Sequence, residues 1–444
     1  MNLRTFKHGI HMADGKALTA DAEIRPFSPR GEAVYPLNQH IGAPARPVVA
    51  VGDTVTVGQT LAQPGGFVSA AICSAVSGTV KAIEPRRTVN GKEALSIVVD
   101  NDGQFTTCEG YDTPRDAAGL SNQEILDIIR DAGIVGQGGA GFPTHVKLSM
   151  KDGVQPEYII VNAAECEPYL TSDYRLLMEQ TDDLLEGLQI VLQLFPEAKG
   201  VIGIEANKPK AIELLQGATV DLPRISVQPL KVKYPQGGER MLIHAVTGRD
   251  IHSGKLPIDV GCVVLNVSTV VSIRLAVCRR IPQIMTIMSI TGDGVVTPGN
   301  FAVPVGSSHR ELLEFAGGLK GEAEKLISGG PLMGVSMQSL DVPVLKTSSS
   351  ILAMERDEVA QWEPTACIRC GRCMRACPEF LVPPMMAHAA ENGDLDGFQQ
   401  VHGMECIECG CCTYVCPAKR RLTQAFRTAK AAVNAQRRAA AKKD

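Results

Sequence analysis

One cysteine spacing occurs twice in this chain and limits its fold more than any other feature. Cys367, Cys370, Cys373 and Cys377 read C-x2-C-x2-C-x3-C, followed by Pro378. Cys406, Cys409, Cys412 and Cys416 repeat the run, followed by Pro417. A tight loop with this spacing aims three thiolates at three corners of an iron–sulfur cubane. The fourth cysteine, one helical turn further on, is directed to a second cluster. The expected ligand sets are therefore crossed: Cys367, Cys370 and Cys373 with Cys416, and Cys406, Cys409 and Cys412 with Cys377. Each proline ends its ligating run. Paired C-x2-C motifs also bind zinc, but one zinc takes four ligands, and two complete runs ending in Cys-Pro are hard to explain that way.

The remaining cysteines support a reduced, intracellular chain. Nine of the 14 lie between Cys367 and Cys416, unlike the even stitching of a small secreted disulfide fold. Cys411 is off the spacing and reads as a non-ligand. Cys73, Cys108, Cys166, Cys262 and Cys278 read as buried thiols. The run pattern itself is that of bacterial two-[4Fe–4S] ferredoxins.

The 444 residues suggest about three domains. A formal net charge of −4 excludes a generally basic nucleic-acid-binding surface. The N-terminus has charges but no apolar core of a signal peptide, and the most apolar run, 261–277, is interrupted by Asn266 and Arg274 and is too short to span a bilayer. Work at a membrane would be by docking.

Residues 1–115 read as all-β, with short β-branched runs at 47–51, 76–83 and 95–99 between turn residues. The segments 51–63 and 74–85 resemble the barrel-sandwich hybrid of lipoyl and biotinyl domains. The stretch matching the carrier hairpin tip has no lysine, so a structural or docking barrel is expected. Residues 116–285 alternate helix and strand: a helix capped by Ser121 over Ile125, Ile128 and Ile129, a strand at 158–162, a long helix over 173–195, and further strands at 200–205, 224–228 and 263–267. This alternation predicts a mostly parallel α/β sheet. Residues 286–345 return to β-type sequence with one helix at 309–315 and resemble the soluble ligand-binding β-grasp module. From Lys419 the tail holds nine Lys or Arg and one acid, Asp444. It reads as solvated, or as a basic helix whose apolar stripe (Leu422, Phe426, Val433) is thin.

Between the first helix and the first α/β strand, residues 136–141 (Gly-Gln-Gly-Gly-Ala-Gly) satisfy G-x-G-x-x-G. A dinucleotide fingerprint needs a strand before that loop and a helix directly after it. Here a helix precedes and Phe142-Pro143 follows, so an ordinary Rossmann reading fails. Two readings stay open: a flexible loop, or a backbone that lies against a flat or phosphorylated ligand with its N–H groups inward.

The sequence 136–147 resembles the flavin loop of the NADH-oxidising subunit of respiratory complex I. Residues 161–168, 234–239 and 265–270 fall where later segments of that family belong. With the barrel before and the β-grasp and double cysteine run after, residues 1–420 resemble the RnfC family, a component of the Rnf complexes, which are membrane-bound, ion-pumping ferredoxin:NAD oxidoreductases. The resemblance implies a multidomain α+β chain: a barrel-sandwich hybrid (1–115), a Rossmann-like α/β FMN/NADH domain (116–285), a β-grasp (SLBB) domain (286–345), a two-[4Fe–4S] ferredoxin-like domain (350–425) and a basic tail (426–444).

It also implies FMN and NAD(H) beside the two clusters. Gly136, Gly138, Gly139 and Gly141 would approach FMN, with Lys147 at its phosphate or ring edge and Asn162 hydrogen-bonded to it. Phe142 would flank the flavin or adenine. Glu165 would contact nicotinamide or ribose, and Glu167, Tyr234, Gly237, Glu239 and Asn266 would complete the pocket. This chain departs from the complex I pattern at Ala164 and Gly238, where that family has acids. The implied partners are NADH, the integral membrane and iron–sulfur subunits of the complex, and, indirectly, ferredoxin, with the chain peripheral on the cytoplasmic side of the membrane. A soluble flavin/iron–sulfur reductase of the same architecture and a cluster-only relay are the alternatives.

Overall fold

The computed structural model describes residues 3–150 and 153–440. Lys442, Lys443 and Asp444 of the basic tail lie outside them. The barrel consists of two antiparallel sheets. One has the order Ala33–Pro36, Glu93–Asn101, Gly78–Arg87, Thr54–Val55; the other is Arg46–Pro47, Thr60–Gln63, Ile72–Cys73. Tyr35, Leu61, Ile72 and Ile97 fill the space between them. Gly78 is required where the strands cross: a Cβ there would lie 2.0 Å from the Asp100 carbonyl oxygen. The strand expected over 47–51 is only Arg46–Pro47, because the Asp53 carboxylate accepts from the Ala50 N–H (2.8 Å) and turns the chain early.

The α/β domain carries four parallel strands in the order Ile225–Leu230, Lys199–Glu205, Tyr158–Ala163, Cys262–Asn266. Helix Asn122–Asp131 begins with a full capping box between Ser121 and Glu124 and buries Ile125 and Ile129. The single long helix expected over 173–195 is instead two, Ser172–Glu179 and Thr181–Leu194. Gln180 leaves helical geometry (φ −133°, ψ 40°). Thr181 donates its hydroxyl to the Leu177 carbonyl, and Asp182 and Asp183 favour a new helix N-terminus there.

The β-grasp sheet has six strands, ordered Ile24–Pro26, Gly299–Pro304, Met285–Thr291, Ser350–Met354, Lys325–Ser328, Val335–Ser336. It takes one strand from ahead of the barrel and one from beyond residue 345, so the domains are interleaved. Residues before Ile24 run over the α/β domain: Ile10 forms a bridge with Tyr234 and Arg4 with Leu230.

The cysteine-rich domain is built of short helices, chiefly Arg372–Ala376, Pro383–Glu391, Leu395–Gln400 and Cys411–Tyr414. The basic tail is not a solvated appendage. Helix Leu422–Ala440 crosses residue 425 without a break and buries Leu422, Phe426, Ala429 and Val433. That thin stripe faces Met386 and Phe398 of its own domain. Two tail cations, Arg427 and Lys430, pair with Glu408. Among the described residues no helix is long and apolar enough to cross a membrane.

Candidate functional site

Parallel sheets bind ligands outside the carboxyl ends of their strands, where the strand order reverses. Here the central strand Tyr158–Ala163 is followed outward on one side by the second and third strands, and on the other by the fourth. The reversal falls between Asn162 and Asn266, which are register partners. The glycine loop lies over this point.

That loop is pinned at both ends and open in the middle. Gly136 donates to the Phe142 carbonyl (2.9 Å), closing the loop, and the Gln137 N–H reaches Thr269 Oγ1 (2.9 Å). Gly138 and Gly139 are exposed. Gly138 takes φ +68°, and a Cβ there would come within 3.0 Å of Asn266 Nδ2; the glycine permits both the conformation and the approach. Gly141, at φ +71°, packs against the barrel loop at Gln39 and His40. Asn266 caps helix Val267–Arg279, accepting from Ser268 N (2.8 Å). The open loop therefore stands beside a helix N-terminus, a favourable place for a phosphate. A loop whose middle is exposed, over a crevice at a strand reversal, fits a flat phosphorylated cofactor.

Glu165 follows the central strand in a left-handed conformation (φ +46°), and its side chain is 4% exposed. Oε1 accepts from the Asp173 N–H (2.8 Å). Oε2 is buried without a hydrogen-bond partner among the described residues. Burial pushes this carboxyl up to about 7, against the pull of Lys16 and Lys208. Asp173 accepts from Asn266 Nδ2 (2.7 Å) and from the Ser268 hydroxyl (3.1 Å), and burial raises its carboxyl as well. Lys147 donates to Glu239 Oε1 (3.0 Å) and to the Val264 carbonyl (2.8 Å). The Asn162 amide donates to the Gly237 carbonyl (2.8 Å), so it braces the loop before helix Glu239–Thr247. Phe142, half-buried, ends the glycine loop.

Two expected crevice residues are placed elsewhere. Glu167 accepts from the N–H groups of Leu332 (3.1 Å) and Met333 (2.9 Å) in the β-grasp domain. The Tyr234 hydroxyl donates to the Cys409 carbonyl (2.8 Å) and lies 3.3 Å from Glu167 Oε1. Both residues join domains rather than line the cofactor crevice. The carboxylate of Glu167 is taken up by the β-grasp N–H groups and the Tyr234 hydroxyl. Asp173, Lys16 and Lys208 gather around Glu165, and no local sequence pattern announces them. The closeness of Asp173 to Asn266 arises only when the helix after the first strand packs beside the fourth.

The eight run cysteines gather into two cradles. Cys377, Cys406, Cys409 and Cys412 line one hollow, and Cys367, Cys370, Cys373 and Cys416 line the other. Each thus combines three cysteines of one run with the last of the other. Among the described residues, no three His, Cys, Asp or Glu converge tightly enough for a single metal ion. Cys409 and Cys412 are buried, whereas Cys367 and Cys370 are exposed. Cys411 is buried beside the inner cradle with its thiol toward the Tyr234 carbonyl (3.9 Å). Of the five scattered cysteines, Cys73 and Cys262 are buried, and Cys108, Cys166 and Cys278 are partly exposed.

Comparison with known proteins agrees with this layout. The RnfC barrel sandwich hybrid domain matches residues 4–104, the Nuo51 FMN-binding domain 129–275, the SLBB domain 287–336 and a 4Fe-4S dicluster domain 361–417. The C component of the proton-translocating ferredoxin:NAD(+) oxidoreductase complex of Clostridium ljungdahlii is 44% identical over 87% of this chain and 84% of that protein. The C component of the Na(+)-translocating complex of Acetobacterium woodii is 40% identical over 99% of both. Its namesake in the ion-translocating oxidoreductase complex of Pseudomonas aeruginosa is 38% identical over 86% of this chain but only 50% of its own length. A crystal structure of an NAD+-reducing [NiFe]-hydrogenase in the H2-reduced state shares the fold, with a TM-score of 0.50 and 20% identity over 71% of this chain and 63% of that chain. With 99% of the A. woodii protein matched, this chain belongs to the RnfC family of the ion-translocating ferredoxin:NAD(+) oxidoreductase complexes.

Proposed function

We propose that the crevice at the strand reversal binds FMN and NAD(H), and that the two cradles hold two [4Fe–4S] clusters in crossed ligation. When bound, FMN supplies the conversion between two-electron hydride chemistry and the one-electron chemistry of the clusters. The chain's own residues bind, orient and shield. Gly138 and Gly139 let the exposed middle of the loop lie against the flavin, Gly136 and Gly141 hold its two ends in place, and the N-terminus of helix Val267–Arg279 with Asn266 faces its phosphate. Lys147, held by Glu239, supplies a cation at the crevice. Asn162 and Gly237 form its floor, and Phe142 its aromatic edge. Glu165 offers its free carboxylate oxygen to the nicotinamide ribose.

The observation that carries this reading is the link made by Tyr234. Its carbonyl accepts from Ile10, its hydroxyl holds the Cys409 carbonyl, and it stands three residues before Gly237. The cradle of Cys406, Cys409, Cys412 and Cys377 is therefore fastened to the crevice floor. The cradle of Cys367, Cys370, Cys373 and Cys416 opens to the surface, where other members of the complex would meet it. The chain would sit peripherally on the cytoplasmic face, docked to integral membrane and iron–sulfur subunits, with ferredoxin reached through them.

Anaerobic titration of the flavin- and cluster-loaded protein with NADH tests the proposal. Bleaching of the flavin band followed by loss of cluster absorbance is expected, with NADPH run beside it for preference. Bound flavin that NADH leaves oxidised would contradict it.

A further inference from the structure

The segment ahead of the barrel carries no cysteine and no glycine motif, yet it threads between the crevice and the inner cradle. Phe6 and Ile10 are buried. Ile10 exchanges both backbone hydrogen bonds with Tyr234 (2.8 and 2.9 Å), and the Gly9 N–H reaches the Ala376 carbonyl (3.2 Å), next to Cys377. A short turn, Lys16–Leu18, follows. Gly15 makes it possible: at φ +59° it packs so closely on Tyr169 that a Cβ would lie 2.5 Å from the ring.

Lys16, 8% exposed, points its ammonium into the turn that leaves the central strand. Three donors meet three carbonyls: Glu165 (2.8 Å), Glu167 (3.0 Å) and Leu170. Glu165 Oε2, the carboxylate oxygen without a hydrogen-bond partner, lies 3.8 Å away. The same turn is also held by Lys208, which donates to the Ala164 carbonyl (2.6 Å) and sits 3.9 Å from Glu205. Two buried ammonium groups thus grip consecutive carbonyls around a residue in left-handed conformation. A buried carbonyl left without its donor is costly, so the two lysines stabilise this shape of the turn.

We infer that Lys16 is a positioning residue for the nicotinamide side of the crevice: it holds the 164–170 turn so that Glu165 presents its carboxylate to the bound nucleotide. This inference rests on the role proposed above for Glu165. The charged groups facing that carboxylate are Lys16 from the N-terminal segment, Lys208 from the loop before helix Pro209–Ala218, and Asp173 from helix Ser172–Glu179. The two lysines favour its ionised form; burial and Asp173 oppose it. Lys16 also lines a small hollow with Asp14, Asn207 and Glu205.

The test compares Lys16→Ala, Glu165→Gln and the double variant in the flavin- and cluster-loaded chain. Lys16→Ala is expected to weaken NADH binding by about tenfold, raising KM while kcat changes little. FMN content and the dithionite-reduced cluster signal should stay at wild-type values. The pH midpoint of NADH binding should move upward, and ethylammonium, but not sodium, should restore both affinity and midpoint. In the Glu165→Gln background the Lys16 substitution should add nothing.

The failures are distinguishable. Wild-type NADH binding in Glu165→Gln would remove the role of Glu165 itself. Weak binding in Glu165→Gln together with normal binding in Lys16→Ala, or losses that simply add in the double variant, would overturn the inference for Lys16. A Lys16→Ala chain that takes up no flavin even in ethylammonium would show a folding role and overturn it too.

Discussion

The two cysteine cradles share one spacing and differ in almost everything around it. The inner one has Cys409 and Cys412 buried, Tyr234 bonded to its backbone, Cys411 tucked behind it and Phe426 across it. The outer one has Cys367 and Cys370 at the surface, at the end of a stretch, 361–370, that is exposed throughout. Ile368 is 65% exposed beside them. The cysteines of the two runs gather in space in crossed sets; packing from elsewhere in the chain decides which cradle is enclosed and which is open. Cluster potential depends on hydrogen bonds and solvent exposure, so identical runs are expected to behave as unlike electron carriers.

The largest effect that would sharpen the contrast is loss of the shared support. Phe426 is 1% exposed and packs on Phe398 with ring centroids 6.2 Å apart. Phe426→Ala should cost about 3–5 kcal/mol and empty the inner cradle before the outer, as read by iron content and EPR. The next effect concerns access. Ferricyanide with a chelator should strip iron from the exposed outer cradle at least about tenfold faster than from the inner one; equal rates would break the comparison. A smaller effect comes from one hydroxyl. Tyr234→Phe removes the hydrogen bond to the Cys409 carbonyl and the hydroxyl beside Glu167, should cost ~1–3 kcal/mol of stability, and should shift the redox midpoint of one cluster signal only. The smallest is at the rim: Lys419 Nζ lies 3.5 Å from the centre of the Trp362 ring, and Trp362→Ala should cost ~0.5–1 kcal/mol without changing the inner signal.

Much of this was legible locally. The crossed grouping of the run cysteines agrees with what their spacing implies, and Gly138 takes the left-handed conformation that a glycine-dense loop allows. The capping box at Ser121 and Glu124 and the helix His309–Phe315 were equally plain. What could not be read depends on long-range packing. Lys16 meets a turn 149 residues away, and nothing near it in sequence announces that. Glu167 and Tyr234 stand beside crevice residues in the chain, but Glu167 meets the β-grasp backbone at Leu332 and Met333, and the Tyr234 hydroxyl lies beside it. The apolar stripe of the last helix was visible at helical spacing; that it faces Phe398 rather than a membrane follows only from the tertiary structure.

Everything proposed for electron flow depends on which cradle lies on the flavin side. Paired variants decide it: Cys406→Ala with Cys409→Ala to empty the inner cradle, and Cys367→Ala with Cys370→Ala to empty the outer, each checked by iron content. Low-temperature EPR after mixing with NADH is the readout. With the outer cradle empty, the remaining signal should appear at the wild-type rate. With the inner cradle empty, the remaining cluster should be reduced by dithionite but not by NADH. Prompt reduction of that outer cluster by NADH would contradict the placement.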